Sequence, residues 1–238
     1  MAHRVAFLRS LTLCGTGNFN ARINLQTVRK FRSYLDEPTD DPEIGKAVNL
    51  LKSRGIDANN PMLDQNAFKL FNLEPKFLVN TNELRREMRN LQRLVHPDRF
   101  VQKDSRTKRT SERLSSIINE AHYILARPYT RAKYLLGLKT GKSPNEIENS
   151  LDRLEMDPEF LSRMLELQEK LGSMFDQREM ILIRDDLQRE QDKLMAAVNE
   201  DFETKNHNNI LEKIGRLKFV SNCYQIAEER LSKQGDTF

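Results

Sequence analysis

Tryptophan is absent from this chain. Cysteine is scarce, and this scarcity argues against a disulfide-stabilised or zinc-binding protein. Cys14 and Cys223 are the only cysteines among 238 residues, which is too few for a disulfide framework or a CxxC zinc site and suits a reducing compartment. No apolar run approaches the roughly 20 residues that a membrane span needs. A glycine-rich loop that could cradle phosphate is missing as well. We therefore expect no membrane association, no metal site and no cofactor.

Residues arranged for catalysis are also missing. His96 and Asp98 could in principle act as a general base and its partner, but no matching nucleophile or oxyanion motif accompanies them. The many carboxylates are typical of solvated helix faces rather than of a catalytic pair. We predict that the protein is not an enzyme and has no catalytic residues.

The charge that is present lies unevenly along the chain. Residues 1–35 hold six Lys or Arg and no acidic residue, so the formal charge of +4 becomes −2 when they are removed. This Arg-rich, acid-free segment matches a mitochondrial transit peptide and predicts a matrix location. The alternative is a disordered basic arm that stays attached, and mass spectrometry of the mature N-terminus would distinguish the two.

Charged residues make up 31% of the chain and aromatic residues 7%, and long segments rich in Leu, Arg, Glu, Gln and Lys predict an all-α fold. Residues 36–61 are polar, with Pro and Gly, and indicate a linker around a short helix at 46–54. Residues 62–140 form the first predicted domain, and residues 137–143 (GLKTGKS) are its hinge to the second. Residues 144–238 predict a three-helix bundle with long helices at 158–173, 177–203 and from about 210 to 233.

Residues 84–100, LRREMRNLQRLVHPDRF, predict one amphipathic helix that ends at an abrupt polar turn. Pro97 ends this helix because it lacks an N–H and pushes His96 out of helical geometry. His96, Pro97 and Asp98 are thereby presented on a short, stiff loop. The helix has an apolar face made of Leu84, Met88, Leu91 and Val95, and a basic stripe on the opposite face made of Arg85, Arg86, Arg89 and Arg93.

The helix that follows is predicted at about 106–126, and its core face packs against the apolar face of the helix before the turn. Pro128 ends it, a short helix covers residues 134–136, and Gly137 is the predicted C-terminal cap. Together the two long helices form a helical hairpin with the His-Pro-Asp turn at its tip.

Three apolar residues of the bundle fall outside its core stripes. Leu161 and Leu165 are displaced by about 100–140° from the stripe of their helix, and Phe219 by about 140° from the stripe of the last helix. An exposed cluster of these side chains would mark a partner site. The alternative is that each helix faces two neighbours and buries a wider face, which would take up the leucines.

The His-Pro-Asp tripeptide between two helices, the first of them basic, resembles the J-domain of co-chaperones that drive DnaK-class ATPases. NAFKLFNLEPKF before it and INEAHYILARPYTRAKYLLGL after it resemble the HscB-type J-proteins of iron–sulfur cluster assembly. The resemblance covers residues from about 62 to the C-terminus. It implies an N-terminal J-domain, with a C-terminal bundle that binds the cluster scaffold. Some animal relatives carry a four-cysteine module before the J-domain, which this sequence lacks.

The resemblance also implies two partners and the residues that meet them. A mitochondrial DnaK-class chaperone would contact His96, Pro97, Asp98 and the four arginines of the basic stripe. An IscU-type scaffold would contact Leu161, Leu165 and Phe219, which match the family's apolar contact positions, with Glu166 and Glu169 as polar neighbours. Ser162 replaces bulkier apolar residues seen in some relatives. The resemblance implies that the co-chaperone delivers the scaffold to the chaperone and stimulates the ATPase of that chaperone.

The competing interpretation is a basic helical protein that binds nucleic acid through the arginine stripe and the RTKR segment at 106–109. Aromatic residues interleaved for single strands are missing, and no groove-reading motif is present. We therefore expect no nucleic acid as a partner. The sequence leaves weak homodimerisation open.

Overall fold

The structure is a computed structural model that describes residues 41–57, 66–174, 176–204 and 209–235. Regular secondary structure in these ranges is entirely helical, which confirms the predicted all-α fold. Residues 1–35, the predicted transit peptide, lie outside the described ranges. The helices are α1 (Pro42–Ser53), α2 (Ala67–Leu70), α3 (Thr81–Val95), a 3-10 helix (Pro97–Phe100), α4 (Ser105–Ala126), α5 (Pro128–Thr140), α6 (Pro144–Asp152), α7 (Pro158–Ser173), α8 (Gln177–Thr204) and α9 (Ile210–Gly235).

Helices α3 and α4 form the predicted hairpin, and side-chain hydrogen bonds show that it is antiparallel. Ser111 Oγ donates to the Val95 carbonyl at 2.7 Å. Gln92, nearly one turn earlier in α3, donates to the Ser115 carbonyl at 3.2 Å and to Asn119 Oδ1 at 2.8 Å, further along α4. The two helices therefore run in opposite directions, with His96 at the end where they join.

The segment at 36–61, predicted to be mostly linker, contributes α1 to the core. Asp41 caps α1, because its Oδ1 accepts from the backbone N–H groups of Glu43 and Ile44 at 2.9 and 3.2 Å. Ile44, Ala47 and Leu51, spaced i, i+3 and i+7, are all at most 2% exposed. The short helix predicted at 46–54 is present as α1 but begins earlier, at Pro42. Residues 42–53 are part of the core rather than linker, because this apolar stripe packs on the hairpin.

Helix α5 is capped by Gly141 rather than by Gly137. Helix α5 runs to Thr140, well beyond the predicted residues 134–136, and Gly141 ends it with a φ of +68°, a conformation that favours glycine. Gly137 lies inside the helix, where a Cβ would be 3.1 Å from the Lys142 carbonyl oxygen. The predicted cap at Gly137 is wrong, and the predicted hinge reduces to the tight turn that follows Thr140.

Helix α6 begins with the predicted capping box. Ser143 Oγ accepts from the Glu146 N–H at 3.3 Å, and Glu146 Oε2 accepts from the Ser143 N–H at 2.8 Å. Both hydrogen bonds satisfy N–H groups that the first turn of a helix leaves without partners.

Two hydrophobic clusters hold the helices together. The larger cluster joins α1–α6 to the end of α8 and the start of α9, where the rings of Phe77 and Phe202 lie 5.8 Å apart. The smaller cluster lies between α7, α8 and α9 and forms the core of the predicted three-helix bundle. Arg131 of α5 is buried beside Phe77 and donates to the carbonyls of Phe77 and Leu125 at 2.6 and 2.5 Å. The two predicted domains therefore share one core where they meet.

Candidate functional site

The His-Pro-Asp turn stands at the surface. His96 ends α3, and Pro97 is the first residue of the 3-10 helix that follows. His96 Nδ1 accepts from the Asp98 N–H at 3.3 Å and lies 3.6 Å from Asp98 Oδ2. The side chains of His96 and Asp98 are 53% and 85% exposed. A partner can therefore reach both side chains without any rearrangement of the turn.

The end of α3 is fixed by side chains from both sides. The last carbonyls of a helix lack intrahelical partners, and here other residues supply them. Arg99 Nη1 donates to the carbonyls of Arg93 and Leu94 at 2.5 and 3.3 Å, while Ser111 of α4 donates to the carbonyl of Val95. These contacts could not be predicted from the sequence, because nothing in the local pattern indicates which side chain caps the C-terminus of a helix that a proline ends.

All four arginines of the predicted basic stripe are exposed. Arg86 lies 3.7 Å from Glu83 and 3.9 Å from Glu87, whereas Arg89 and Arg93 form no ion pair with any residue that the structure describes. A groove of about 600 Å³ between α3 and α4 brings part of the stripe together with the turn. The residues that line this groove are Met88, Arg89, Gln92, Arg93, His96, Arg99, Ser115 and Asn119.

The predicted apolar patch of the bundle is half-buried rather than fully exposed. Leu161 and Phe219 both pack partly against the smaller core cluster, and Leu165 is half-exposed. The ring of Phe219 meets the buried ring of Phe160 edge-on, with centroids 6.2 Å apart. Leu161 and Phe219 therefore have both a packing role and an accessible edge, and Leu165 is partly accessible beside them.

Charged groups surround this patch. Glu166 and Glu169 are exposed on α7, and Glu166 Oε1 accepts from Ser162 Oγ at 3.1 Å. The guanidinium groups of Arg163 and Arg216 lie 5.6 and 4.9 Å from the centroid of the Phe160 ring, within the range of cation–π attraction. The surface therefore combines apolar edges with both signs of charge, a composition typical of the rim of a protein–protein interface.

Three other features that could carry function are a metal site, a membrane-spanning helix and a reactive thiol. Within these ranges, no three His, Cys, Asp or Glu side chains cluster as a metal ion would require, and no helix has the length and hydrophobicity to cross a bilayer. Cys223 is buried in the smaller cluster, and burial raises the pKa of its thiol to about 11. At neutral pH this thiol is protonated and is a poor nucleophile.

A family model described as the HSCB C-terminal oligomerisation domain matches residues 156–227. The human iron–sulfur cluster co-chaperone protein HscB is 31% identical over 169 residues, which cover 71% of this chain and 69% of the human protein. A co-chaperone HscB homolog from Vibrio atlanticus is 26% identical over 173 residues, covering 70% of this chain and 98% of that protein.

Solved structures agree with this relationship. The crystal structure of human HscB matches with a TM-score of 0.55 at 29% identity, covering 73% of this chain and 83% of that one. HscB from Vibrio cholerae matches with a TM-score of 0.54 at 25% identity, covering 71% of this chain and 98% of that one. The fold and the exposed His-Pro-Asp turn define a J-domain co-chaperone. The chain belongs to the HscB family of iron–sulfur cluster co-chaperones.

Proposed function

We propose that this protein binds a cluster-loaded, IscU-type scaffold through its bundle, delivers it to a DnaK-class chaperone, and stimulates the ATPase of that chaperone. The observation that carries the proposal is the exposed His96–Asp98 turn beside the arginine-lined groove. Residues 62–140 would act as the J-domain and residues 144–238 as the scaffold-binding unit.

The contact with the chaperone would be electrostatic. Exposed arginines on α3 favour encounter with an acidic surface, which raises association rates more than it strengthens the final complex. Asp98 offers a carboxylate that a chaperone arginine could meet in a charge-assisted hydrogen bond. ATP hydrolysis itself takes place in the chaperone, so this chain needs only to present the turn in a fixed geometry.

The contact with the scaffold would be mainly apolar. Leu161, Leu165 and Phe219 are half-buried in the free protein, so a partner that covers their exposed edges would gain about 25 cal/mol for each Å² of apolar surface removed from water. Only the part of this gain that exceeds the entropic cost of association would appear as affinity. Glu166 and Glu169 would then fix the register of the complex.

The proposed location is the mitochondrial matrix. The acid-free, Arg-rich composition of residues 1–35 supports it. The matrix would supply both partners in one compartment.

Two measurements test the function. His96→Gln should abolish stimulation of the chaperone ATPase while the circular dichroism spectrum stays unchanged, and undiminished stimulation would reject the assignment of the turn. In calorimetric titration with the scaffold, the triple variant Leu161→Ala/Leu165→Ala/Phe219→Ala should bind at least about tenfold more weakly, because central apolar contacts each contribute on the order of 1 kcal/mol or more. Leu182→Ala, at a position 66% exposed on α8, is the matched control and should bind normally.

A further inference from the structure

Helix α1 lies against the segment that follows the His-Pro-Asp turn. Glu43 Oε2 is 3.2 Å from Arg99 Nη2, and Arg99 is the residue directly after Asp98. Asp41 Oδ2 is 2.9 Å from Lys103 Nζ, while Oδ1 of the same carboxylate caps α1. Two ion pairs therefore connect the first turn of α1 to the segment after the turn.

The other end of α1 is fixed to the hairpin as well. Arg54 follows the last residue of α1, donates to the Leu70 carbonyl and lies 3.6 Å from Glu87 Oε2 on α3. The apolar face of α1 is buried in the larger cluster between these two ends. Helix α1 therefore spans the hairpin from the middle of α3 to the tip.

We propose that α1 is a positioning element for the His-Pro-Asp turn, and that Asp41 and Glu43 hold the turn in the geometry that activates the chaperone. Arg99 connects α1 to the turn. Its Nη1 donates to carbonyls in the last turn of α3, while its Nη2 donates to Glu43 Oε2. With both sides of the guanidinium held, a bound chaperone meets the turn already in the activating geometry, so the effect falls on the maximal rate rather than on the affinity. The effect on the ATPase rests on the proposed function.

The Asp41–Lys103 ion pair is charged at neutral pH. The hydrogen bond from Lys103 holds the pKa of the Asp41 carboxyl below its usual value, and the same contact raises the pKa of Lys103. Two carboxylates so close to a basic surface could also act by neutralising it. That alternative predicts that removing the two acids strengthens the apparent affinity for an acidic chaperone surface, whereas the positioning role predicts no change in that affinity.

The test uses the full chain with Asp41→Asn/Glu43→Gln. Asparagine retains the capping oxygen of α1, so this variant removes the ion pairs while preserving the helix. Glu43→Gln alone, which leaves the Asp41 contacts intact, is the milder second variant. Glu179→Gln is the matched control, because Glu179 forms an exposed ion pair with Lys170 at 2.5 Å in the bundle.

The first readout is single-turnover ATP hydrolysis by the chaperone over a range of co-chaperone concentrations. The double variant should lower the maximal stimulated rate by about threefold to tenfold, as the loss of two surface ion pairs allows. The half-saturating concentration should stay the same, because the arginine stripe is intact. An unchanged maximal rate with a lower half-saturating concentration would show that the acids only neutralise charge, and would overturn the proposal.

The second readout is hydrogen exchange, which needs no chaperone. The Arg99 and Lys103 amides donate to the carbonyls of His96 and Phe100, both at 3.0 Å. In the double variant these two amides should exchange about threefold to tenfold faster, and in Glu179→Gln they should not. Unchanged exchange would overturn the positioning role. Absence of stimulation by the unmodified chain would instead overturn the proposed function, so the two failures are distinguishable.

Discussion

Replacing Phe202 by alanine tests whether the hairpin and the bundle unfold together. Phe202 lies near the end of α8, is 3% exposed and packs against Phe77 in the larger cluster. The substitution therefore removes a side chain of the bundle whose contacts lie in the core of the predicted J-domain. If that core is shared, the loss must destabilise the hairpin as well.

The size of the effect follows from burial. A buried Phe→Ala substitution costs about 3–5 kcal/mol in the free energy of unfolding, of which the aromatic pair contributes about 0.5–1.5 kcal/mol. With an m-value of about 3 kcal/mol/M, the urea midpoint should fall by about 1–1.7 M. Leu182→Ala on the same helix is exposed and should change stability by less than about 0.5 kcal/mol.

Urea denaturation followed by circular dichroism gives the midpoint, and hydrogen exchange shows which helices open. Phe202→Ala should reduce the protection of amides in α4 as well as in α8, within one cooperative transition. A double-mutant cycle with Phe77→Ala should give a coupling energy of about 0.5–1.5 kcal/mol. A biphasic transition, with α4 protection unaffected, would refute the shared core.

Two further predictions follow from a buried thiol and a half-buried carboxylate. In a Cys14→Ser variant, Cys223 should resist a thiol reagent at pH 8 until urea is added, because burial raises its pKa to about 11. Rapid reaction of the native protein would contradict the buried position of Cys223. Burial alone would raise the pKa of Glu148, but Lys133 and Lys218 bring it below the usual 4.5. The resulting stability is present above about pH 4.5 and lost as the pH falls through the folded value. Thermal unfolding should therefore show Glu148→Gln to be less stable at pH 7, with the difference closing towards pH 3; a constant difference would be inconsistent.

Features specified by short-range patterns were predictable from the sequence. The capping box at Ser143 and the end of α3 before Pro97 depend on residues within a few positions of each other, and the structure has both. The core stripes of α7 and α9 were predictable for the same reason, since helical periodicity alone defines them.

Features that depend on distant partners were not predictable. Glu148 accepts from Lys133 and Lys218, which are 15 and 70 positions away, at 2.6 and 3.3 Å. Nothing in the local sequence distinguishes these side chains from solvated ones. The sequence predicts a short helix at 46–54 but not that this helix belongs to the core, because its apolar stripe becomes meaningful only against the hairpin. The half-burial of Phe219 likewise depends on Phe160 in another helix.

The measurement that tests the account most directly is single-turnover ATP hydrolysis by the DnaK-class chaperone, with and without the scaffold. The unmodified chain should stimulate hydrolysis alone and more strongly with scaffold. His96→Gln should lose both effects, and Leu161→Ala/Leu165→Ala/Phe219→Ala should lose only the scaffold-dependent increment. Full stimulation by His96→Gln would contradict the conclusion that the protein is an adaptor with two separate recognition surfaces. A normal scaffold-dependent increase in ATP hydrolysis with the triple variant would contradict it as well.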